Sequence, residues 1–507
     1  MKISYILTKL FFFLIYFKGF SNLFLKAWDL KVSNGSVIQW VIEPVSRIPI
    51  DLRRLGPDGR VIGKNYENNN LLGNIIALNL AAVDPKIKAI EIIMEDVSSL
   101  NVSTIQEILS SLYLWKKNGK KITIKAKSIE TFNQALLFSI ADERILFNMG
   151  SFIMPGYFLD FEFSGKKEAK KGIDAEVIKT NVYKAGGLPH GDDSLNFFAF
   201  NNYKNLVMDL TEQGAEVFAF NQKISVEDSY SYLKKTFFTP KEAKNLGFVT
   251  EITEKADLKE SSDKNMISLS YYSEYNKPFS KFLTPNVGFV DVSFPFMNGL
   301  GFKVAKEILK LDRPEIKACL VWVTSGGGDA VEAYAIVEAL KKLKESGKYI
   351  IAVVNLAASG GYWVASIADK VFAQPGALVG SISAYSLKLN ASNYLKKKGY
   401  TFERVSSYDS MGLLPGRQSA SYKMFDIQSI EEVGNYFSDS VKNFRGISDE
   451  LMEDLAQGQV YSALYGSKIG LVDELGGIVD AINLLVSVCN SSILKFDYIP
   501  NLRMLSE

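Results

Sequence analysis

An internal duplication constrains the fold of this chain more than any other feature of its sequence. Four segments of the first half recur in the same order in the second half: PKIKAIEII (85–93) as PEIKACLVW (314–322), KNGKKITI (117–124) as ESGKYIIA (345–352), SIAD (139–142) as SIAD (366–369), and KKG (170–172) as KKG (397–399). The offsets are 229, 228, 227 and 227 residues. Because the order is kept at nearly one offset, the 507-residue chain is predicted to hold two copies of one structural unit.

The duplication predicts the domain organisation. We expect a first repeat over residues 26–252 and a second over residues 285–507, joined by a linker over 253–284 that contains the charged stretch TEKADLKESSDKNM. Residues 1–25 are predicted to be a signal-anchor, because the apolar run LFFFLIYF follows a positively charged start and no A-x-A cleavage site follows it. A cleaved signal peptide, an interfacial helix and, least favoured, a buried helix of a soluble protein are the alternatives.

Short apolar runs alternate with amphipathic stretches through the second repeat. VGFVDVSF, ACLVWV and YIIAVVN are typical of buried strands, and DKVFAQP and ALVGSISA are expected to be two further strands. AVEAYAIVEALKKLKESG is typical of a helix that ends at a glycine. This alternation predicts an α/β fold with βαβ crossovers in each repeat.

Composition excludes some functions. The formal net charge of +2 gives no indication of a nucleic acid partner. Cys319 and Cys489 are too few for a disulfide framework or a zinc site, so we expect both to be packed and inert. We expect no metal and no other cofactor.

Two glycine-rich turns mark the candidate site. TSGGGDA (324–330) and ASGGYW (358–363) each follow a predicted buried strand and precede a helix, where α/β folds bind ligands. The N–H groups of Gly327 and Gly360 are candidate donors to an oxyanion. A tight turn without a ligand and a weaker phosphate cradle are the alternatives.

Ser359 is the candidate nucleophile, and a helix N-cap serine is the alternative interpretation. The chain has one histidine, His190, which lies far from Ser359 in sequence. At the 227-residue offset, Ser359 corresponds to Phe132 and Lys184 corresponds to Met411. Each half lacks what the other keeps, so we predict one site shared between the halves, with Lys184 as the base. A solvated surface lysine is the alternative.

At these residues the sequence resembles the signal peptide peptidase A (protease IV) family in its long, duplicated form. The similarity runs over roughly residues 70–490. Four segments carry it: Ser325-Gly326-Gly327-Gly328 is similar to the family's Ser-Pro-Gly-Gly turn, Ala358-Ser359-Gly360-Gly361-Tyr362 to its nucleophile motif, Gly380-Ser381-Ile382-Ser383 to its Gly-Ser-Ile-Gly segment, and Tyr183-Lys184 to its base motif. Gly326 and Ser383 depart from the family pattern, and so does the loop AGGLPHGDD after Lys184.

The resemblance implies tandem crotonase/ClpP-like domains and a serine endopeptidase with a Ser/Lys dyad. It implies hydrophobic peptide substrates such as remnant signal peptides, and a homotetramer on the membrane. We expect one N-terminal anchor in a bacterial inner membrane, with the catalytic part on the periplasmic side. The rival functions are an acyl-CoA enzyme of the crotonase type, a non-catalytic membrane scaffold, and a protease that acts on membrane proteins generally.

A lysine base sets a physical requirement. The ordinary lysine pKa of about 10.4 must fall by about 3 units for neutral Lys184 to take the proton of Ser359 at pH 7–8. This requires a dry setting and a neutral hydrogen-bonding partner, for which Ser381 is the candidate. A nearby carboxylate would raise the lysine pKa and would count against the dyad.

Overall fold

The computed structural model describes residues 32–42, 71–95, 100–260, 263, 265–275, 285–401, 403, 420–491, 494 and 496–499. The predicted N-terminal anchor over 1–25 and the position of Met411 lie outside these residues. None of the helices in the described ranges combines the length and the apolar character that crossing a membrane would require.

Seventeen strands are present in the described part of the chain: β1 (Ser36–Ile42), β2 (Ile87–Met94), β3 (Lys121–Ala126), β4 (Glu143–Phe147), β5 (Phe152–Ile153), β6 (Asp174–Lys179), β7 (Phe237–Phe238), β8 (Glu251–Thr253), β9 (Met266–Ser268), β10 (Val287–Val292), β11 (Ala318–Ser325), β12 (Tyr349–Ala358), β13 (Lys370–Gly380), β14 (Tyr385–Asn390), β15 (Val460–Ser462), β16 (Glu474–Leu475) and β17 (Phe496–Tyr498). The helices of the first half and its continuation are Leu71–Val83, Val102–Lys117, Phe132–Ser139, Gly165–Lys171, Leu188–Gly191, Phe197–Gln222, Val226–Lys235, Pro240–Asn245 and Leu269–Tyr275. Those of the second half are Leu300–Leu309, Ala330–Glu345, Gly360–Ser366, Ser392–Lys397, Ala420–Arg445, Asp449–Leu455, Ala463–Gly466 and Ile478–Val488.

Two main sheets share one strand order. The first runs β9-β1-β2-β3-β4-β8, and the second runs β17-β10-β11-β12-β13, with β15 and β16 both pairing with β13. The central pairs are parallel in both sheets, as βαβ crossovers require. The α/β class predicted from the sequence is therefore confirmed.

The repeated SIAD segment makes the same contacts in both halves. The Ser139 hydroxyl donates to Leu136 O at 2.6 Å, and the Ser366 hydroxyl donates to Trp363 O at 2.7 Å. Asp142 Oδ2 accepts the N–H of Ile122 at 2.9 Å, and Asp369 Oδ2 accepts that of Ile350 at 2.8 Å. In each copy, one carboxylate ties a helix end to the strand before that helix. The sequence repeat thus corresponds to a repeat of hydrogen-bonded structure.

The interval 253–284, expected to be a linker, contains secondary structure. Strand β9 lies within it and pairs in parallel with β1, at the same place in the first sheet that β17 takes in the second. The helix Leu269–Tyr275 follows β9, and its Tyr272 is fully buried in the core of the first half. The first sheet therefore extends past residue 252, which charge and composition did not indicate.

Strand β13 differs from expectation, because DKVFAQP and ALVGSISA do not form two strands. A single strand runs from Lys370 to Gly380, and its pairing with β12 is interrupted between the Val354–Ala373 and Leu356–Leu378 pairs. Pro375 lies in this gap. Because proline has no N–H, it fits a strand where the pairing is already broken. Beyond the gap, Ala358 pairs with Gly380, so β12 and β13 end side by side.

The two halves pack against each other through polar and apolar contacts. The helix Val102–Lys117 of the first half lies on the second sheet, where Ser103 Oγ donates to Asn355 Oδ1 at 2.8 Å and Gln106 Oε1 accepts the Gly376 N–H at 2.7 Å. Antiparallel pairing of β6 with β14 forms a second link between the halves. This two-stranded ribbon brings the segment that follows β6 to the carboxyl ends of β12 and β13.

Candidate active site

Ser359 lies in the sharp turn between β12 and the helix Gly360–Ser366. Its backbone φ is 54° and its ψ is −127°, a conformation that residues with a side chain rarely adopt. Its N–H donates to Gly380 O at 2.9 Å, and its carbonyl accepts the N–H groups of Tyr362 and Trp363. The hydroxyl makes no capping hydrogen bond to the helix, so the interpretation as an ordinary N-cap is wrong.

Lys184 reaches this serine from the other half of the chain. Its Nζ lies 3.1 Å from Ser359 Oγ, 2.9 Å from Ser381 O and 3.1 Å from Ser381 Oγ. Only 3% of the residue is exposed, so the interpretation as a solvated surface lysine is wrong. The structure thus brings Ser359, Lys184 and Ser381 together across a sequence separation of 175 residues between the serine and the lysine.

Burial sets the charge of Lys184. Desolvation lowers its pKa from 10.5 to about 7, and no carboxylate contributes to this shift. The three oxygen atoms around Nζ are two hydroxyls and one carbonyl, all of them neutral. A neutral amine near pH 7 is what a lysine needs in order to accept the proton of a serine hydroxyl.

The two glycines expected to form an oxyanion hole both lie at the serine. A Cβ built on Gly327, whose φ is 95°, would come within 2.8 Å of Gly360 N and of Ser359 Cβ, so only glycine fits there. The Gly360 N–H has no acceptor among the described residues. The Gly327 N–H donates to the buried Ser325 Oγ at 3.2 Å, so the donor expected at Gly327 is already engaged.

The segment Gln457–Gln459 was not identified from the sequence, although it holds both sides of the site. Gln457 O accepts the Tyr183 N–H at 3.2 Å, and Gln459 O accepts the Ser381 N–H at 2.6 Å. Between them, Gly458 lies directly against the backbone of Lys184. A glycine between two glutamines matches no catalytic pattern, so nothing in the sequence connected this segment with the base.

Gly458→Ala is expected to reduce activity at least tenfold and to destabilise the protein by about 2 kcal/mol or more. The φ of Gly458 is 93°, and an added Cβ would lie 2.9 Å from Lys184 N, so the substitution adds a clash to backbone strain. Gly446→Ala is the matched control: its φ is 64° and a Cβ there would meet nothing within 4 Å. Peptidase rates and urea unfolding of both variants check this. Equal losses of activity would show that strain alone is responsible.

The sole histidine lies outside this arrangement. His190 is exposed in the short helix Leu188–Gly191, and no hydrogen bond joins its side chain to Ser359. Of the groups described around the serine, Lys184 is the one with a basic nitrogen within hydrogen-bond distance of Oγ. A strained serine beside a neutral lysine and a free N–H is a constellation suited to acyl transfer.

Comparison with known proteins agrees with this chemistry. Residues 341–489 match the model of peptidase family S49. Protease 4 of Haemophilus influenzae is 25% identical over 458 residues, which cover 82% of this chain and 72% of that protein. The chloroplastic serine protease SPPA of Arabidopsis thaliana is 22% identical over a region that covers 82% of this chain and 65% of that protein. A putative signal peptide peptidase SppA of Enterococcus faecium is 30% identical over a region that covers 34% of this chain and 50% of that protein.

The α/β fold and the comparisons together define a serine protease. The comparisons favour a protease over the acyl-CoA enzyme considered from the sequence. Part of the chain matches peptidase family S49, and most of it is similar to proteins named Protease 4, so the resemblance inferred from its motifs is confirmed.

Proposed function

We propose that this protein is a membrane-associated endopeptidase that cleaves hydrophobic peptides, such as remnant signal peptides, through a Ser359/Lys184 dyad. The observation that carries the proposal is the 3.1 Å contact between Lys184 Nζ and Ser359 Oγ in a buried site without a carboxylate partner. The name of the Enterococcus faecium relative, a putative signal peptide peptidase, supports the substrate class.

In this mechanism Ser359 Oγ attacks the scissile carbonyl while neutral Lys184 takes the hydroxyl proton. Lys184 then gives that proton to the leaving amine, and water releases the acyl group by the reverse use of the same residues. Ser381 orients the amine through its hydroxyl and its carbonyl. The Gly360 N–H stabilises the oxyanion, a contribution worth roughly 2.7–4 kcal/mol per donor.

The second oxyanion donor is assigned to the SGGG turn. Because the Gly327 N–H is bonded to Ser325, it serves only if that bond breaks when substrate binds. The next residue, Gly328, has an N–H without an acceptor among the described residues. Gly328 is therefore the preferred second donor, and Gly327 supplies the close approach that allows it.

Apolar side chains are exposed beside the lysine turn, which supports a hydrophobic substrate. Val182 is 43% exposed, Phe197 76% and Phe198 43%, and the ring of Phe198 contacts Tyr183 at a centroid distance of 5.4 Å. Exposed apolar clusters of this kind commonly mark binding surfaces. Membrane attachment through residues 1–25, a periplasmic location and a homotetramer remain predictions. Action on membrane proteins in general is the rival substrate class.

The rate of peptide cleavage is expected to rise with pH through about 7 and then to level off. Lys184 must lose its proton to act as the base, and its pKa is about 7, so kcat/KM increases as the pH passes this value. A hydrophobic signal-like peptide is the substrate for the measurement, and a charged peptide of equal length is expected to be cleaved more slowly.

His190 provides the control for this profile, because it is the one histidine of the chain and its side chain lies outside the proposed dyad. His190→Gln is expected to leave unchanged the rising limb of the profile, that is, the pH range over which kcat/KM increases. If this variant removes the limb, the titrating base is not Lys184. If the hydrophobic peptide is not cleaved at any pH, the proposed substrate class is wrong.

A further inference from the structure

The turn that carries Lys184 is held by a hydrogen-bond network that crosses between the two halves. Asn181 lies at its centre. Its Oδ1 accepts from Ser383 Oγ at 2.9 Å, and its Nδ2 donates to Gln457 Oε1 at 3.4 Å. Its backbone carbonyl accepts the Lys184 N–H at 3.4 Å, which closes the turn. One side chain therefore connects two segments of the second half to the turn that presents the lysine.

Ser383 is buried, with 3% exposure, and its hydroxyl has a second partner in Thr180 Oγ1 at 2.7 Å. Thr180 Oγ1 also lies 2.6 Å from Asn181 Oδ1. Two side chains of the first half and one of the second thus form one cluster, in which two hydroxyl hydrogens serve three oxygen–oxygen contacts. The resembling family has glycine at the position of Ser383. In this chain the Ser383 hydroxyl contacts Asn181 and Thr180, which a glycine could not do.

We propose that Asn181 is a positioning residue for Lys184, held in place from the second half by Ser383 and Gln457. This inference rests on the proposed role of Lys184 as the base. Asn181 touches neither the reacting atoms nor the substrate in this assignment. It acts by fixing the turn from which the lysine side chain enters the buried site.

The buried environment of the amine gives this positioning a measurable signature. Desolvation keeps the Lys184 pKa low, so a turn that loosens and admits water should let that pKa rise toward its ordinary value. A purely structural weakening would reduce the amount of folded enzyme. The enzyme that remains folded would still gain activity at the same pH as the wild type. The position of the rising limb therefore separates the two roles.

The test compares Asn181→Ala and Ser383→Ala with Ser103→Ala, using kcat/KM against pH on a hydrophobic peptide. Ser103 is the matched control because its hydroxyl also bonds an asparagine across the halves, at 2.8 Å, and Ser103 belongs to no part of the proposed site. We expect both test variants to lose at least tenfold in kcat/KM at pH 7 and to recover at high pH, with the limb shifted upward by half a unit or more. Ser103→Ala is expected to keep the wild-type limb.

An unchanged limb in both test variants overturns the proposal, and so does an equal shift in Ser103→Ala. Thermal unfolding of each variant, measured alongside, establishes that the compared enzymes are folded. Lys184→Ala separates this inference from the function on which it rests. Full activity of that variant would contradict the dyad itself. If Lys184→Ala is inactive but the pH profiles of Asn181→Ala and Ser383→Ala are not shifted, only the positioning role of Asn181 is contradicted.

Discussion

Replacing Lys184 with methionine should abolish peptidase activity and, below pH 7, stabilise the protein. Loss of one member of a nucleophile–base pair lowers kcat by about 10⁴-fold or more. Methionine keeps most of the side-chain volume and removes the amine, so the pocket remains filled. The same substitution thus acts in opposite directions on activity and on the free energy of unfolding.

The pH dependence of that stabilisation follows from the lowered pKa. Below pH 7 the buried lysine is protonated in both the folded and the unfolded chain, and the folded state carries the full cost of the buried charge. Between pH 7 and 10.5 the unfolded chain binds the proton that the folded chain has lost, so wild-type stability rises with pH. The advantage of methionine is therefore largest below pH 7 and fades toward pH 10.5.

The expected size of the effect is limited by the lost contacts of the amine. The shift from 10.5 to about 7 corresponds to roughly 5 kcal/mol at most. Removing three hydrogen bonds offsets part of this, which leaves a gain of about 2 kcal/mol at pH 6. Urea unfolding at pH 6 and pH 10 measures it.

Lys120→Met is the control for this experiment. Burial also lowers the pKa of Lys120, to about 8, but its amine donates to Ala81 O and Asp84 O in the first half. This variant should keep full activity. If Lys184→Met is no more stable at pH 6 than at pH 10, relative to wild type, the lysine is not buried as described.

Substitution of Ser359 should separate the chemical role of the residue from its conformational cost. Both Ser359→Ala and Ser359→Gly are expected to lose peptidase activity by about 10⁴-fold or more, because neither retains the nucleophilic oxygen. Ser359→Gly is expected to be about 1 kcal/mol more stable than Ser359→Ala. The φ of 54° costs a residue with a Cβ about 1–3 kcal/mol, and glycine loses part of that gain through its greater chain entropy.

Unfolding of the two variants under identical conditions provides the measurement. Alanine is the matched control, because it removes the same oxygen and keeps the Cβ. Activity retained by either variant would remove Ser359 as the nucleophile. Equal stabilities would show that the turn imposes no strain.

The duplication is what led from the sequence to Ser359 as the predicted nucleophile and Lys184 as the predicted base, because each residue is missing from the other half. Ser359 is matched by Phe132 and Lys184 by Met411, and this complementary pattern indicated a shared site before any geometry was available. Parallel strands and crossovers followed from apolar runs of the right length. Both inferences depend on local pattern and on register, which a single sequence contains.

The sequence did not predict the parts of the site that arise from packing. Gln457 and Gly458 contact the lysine turn from a segment far away in the chain, and Asn181 of the turn bonds Gln457 through its side chain. None of these residues lies in a recognisable motif. The engagement of the Gly327 N–H by Ser325 could not be inferred either, because it depends on how one loop folds back on itself. Strand β9 was missed since its three residues lie within a polar stretch.

Phe132, which the repeat offset matches to the proposed nucleophile Ser359, is part of the packed core of the first half. It is 1% exposed and packs against the ring of Tyr157 at a centroid distance of 5.2 Å. The neighbouring Gly214 leaves room for its ring and for nothing larger than a hydrogen. Exchanging so large a buried ring for a small side chain costs about 3–5 kcal/mol, comparable with the whole stability of many domains. Placing a second catalytic serine at this position would therefore require the first half to be repacked.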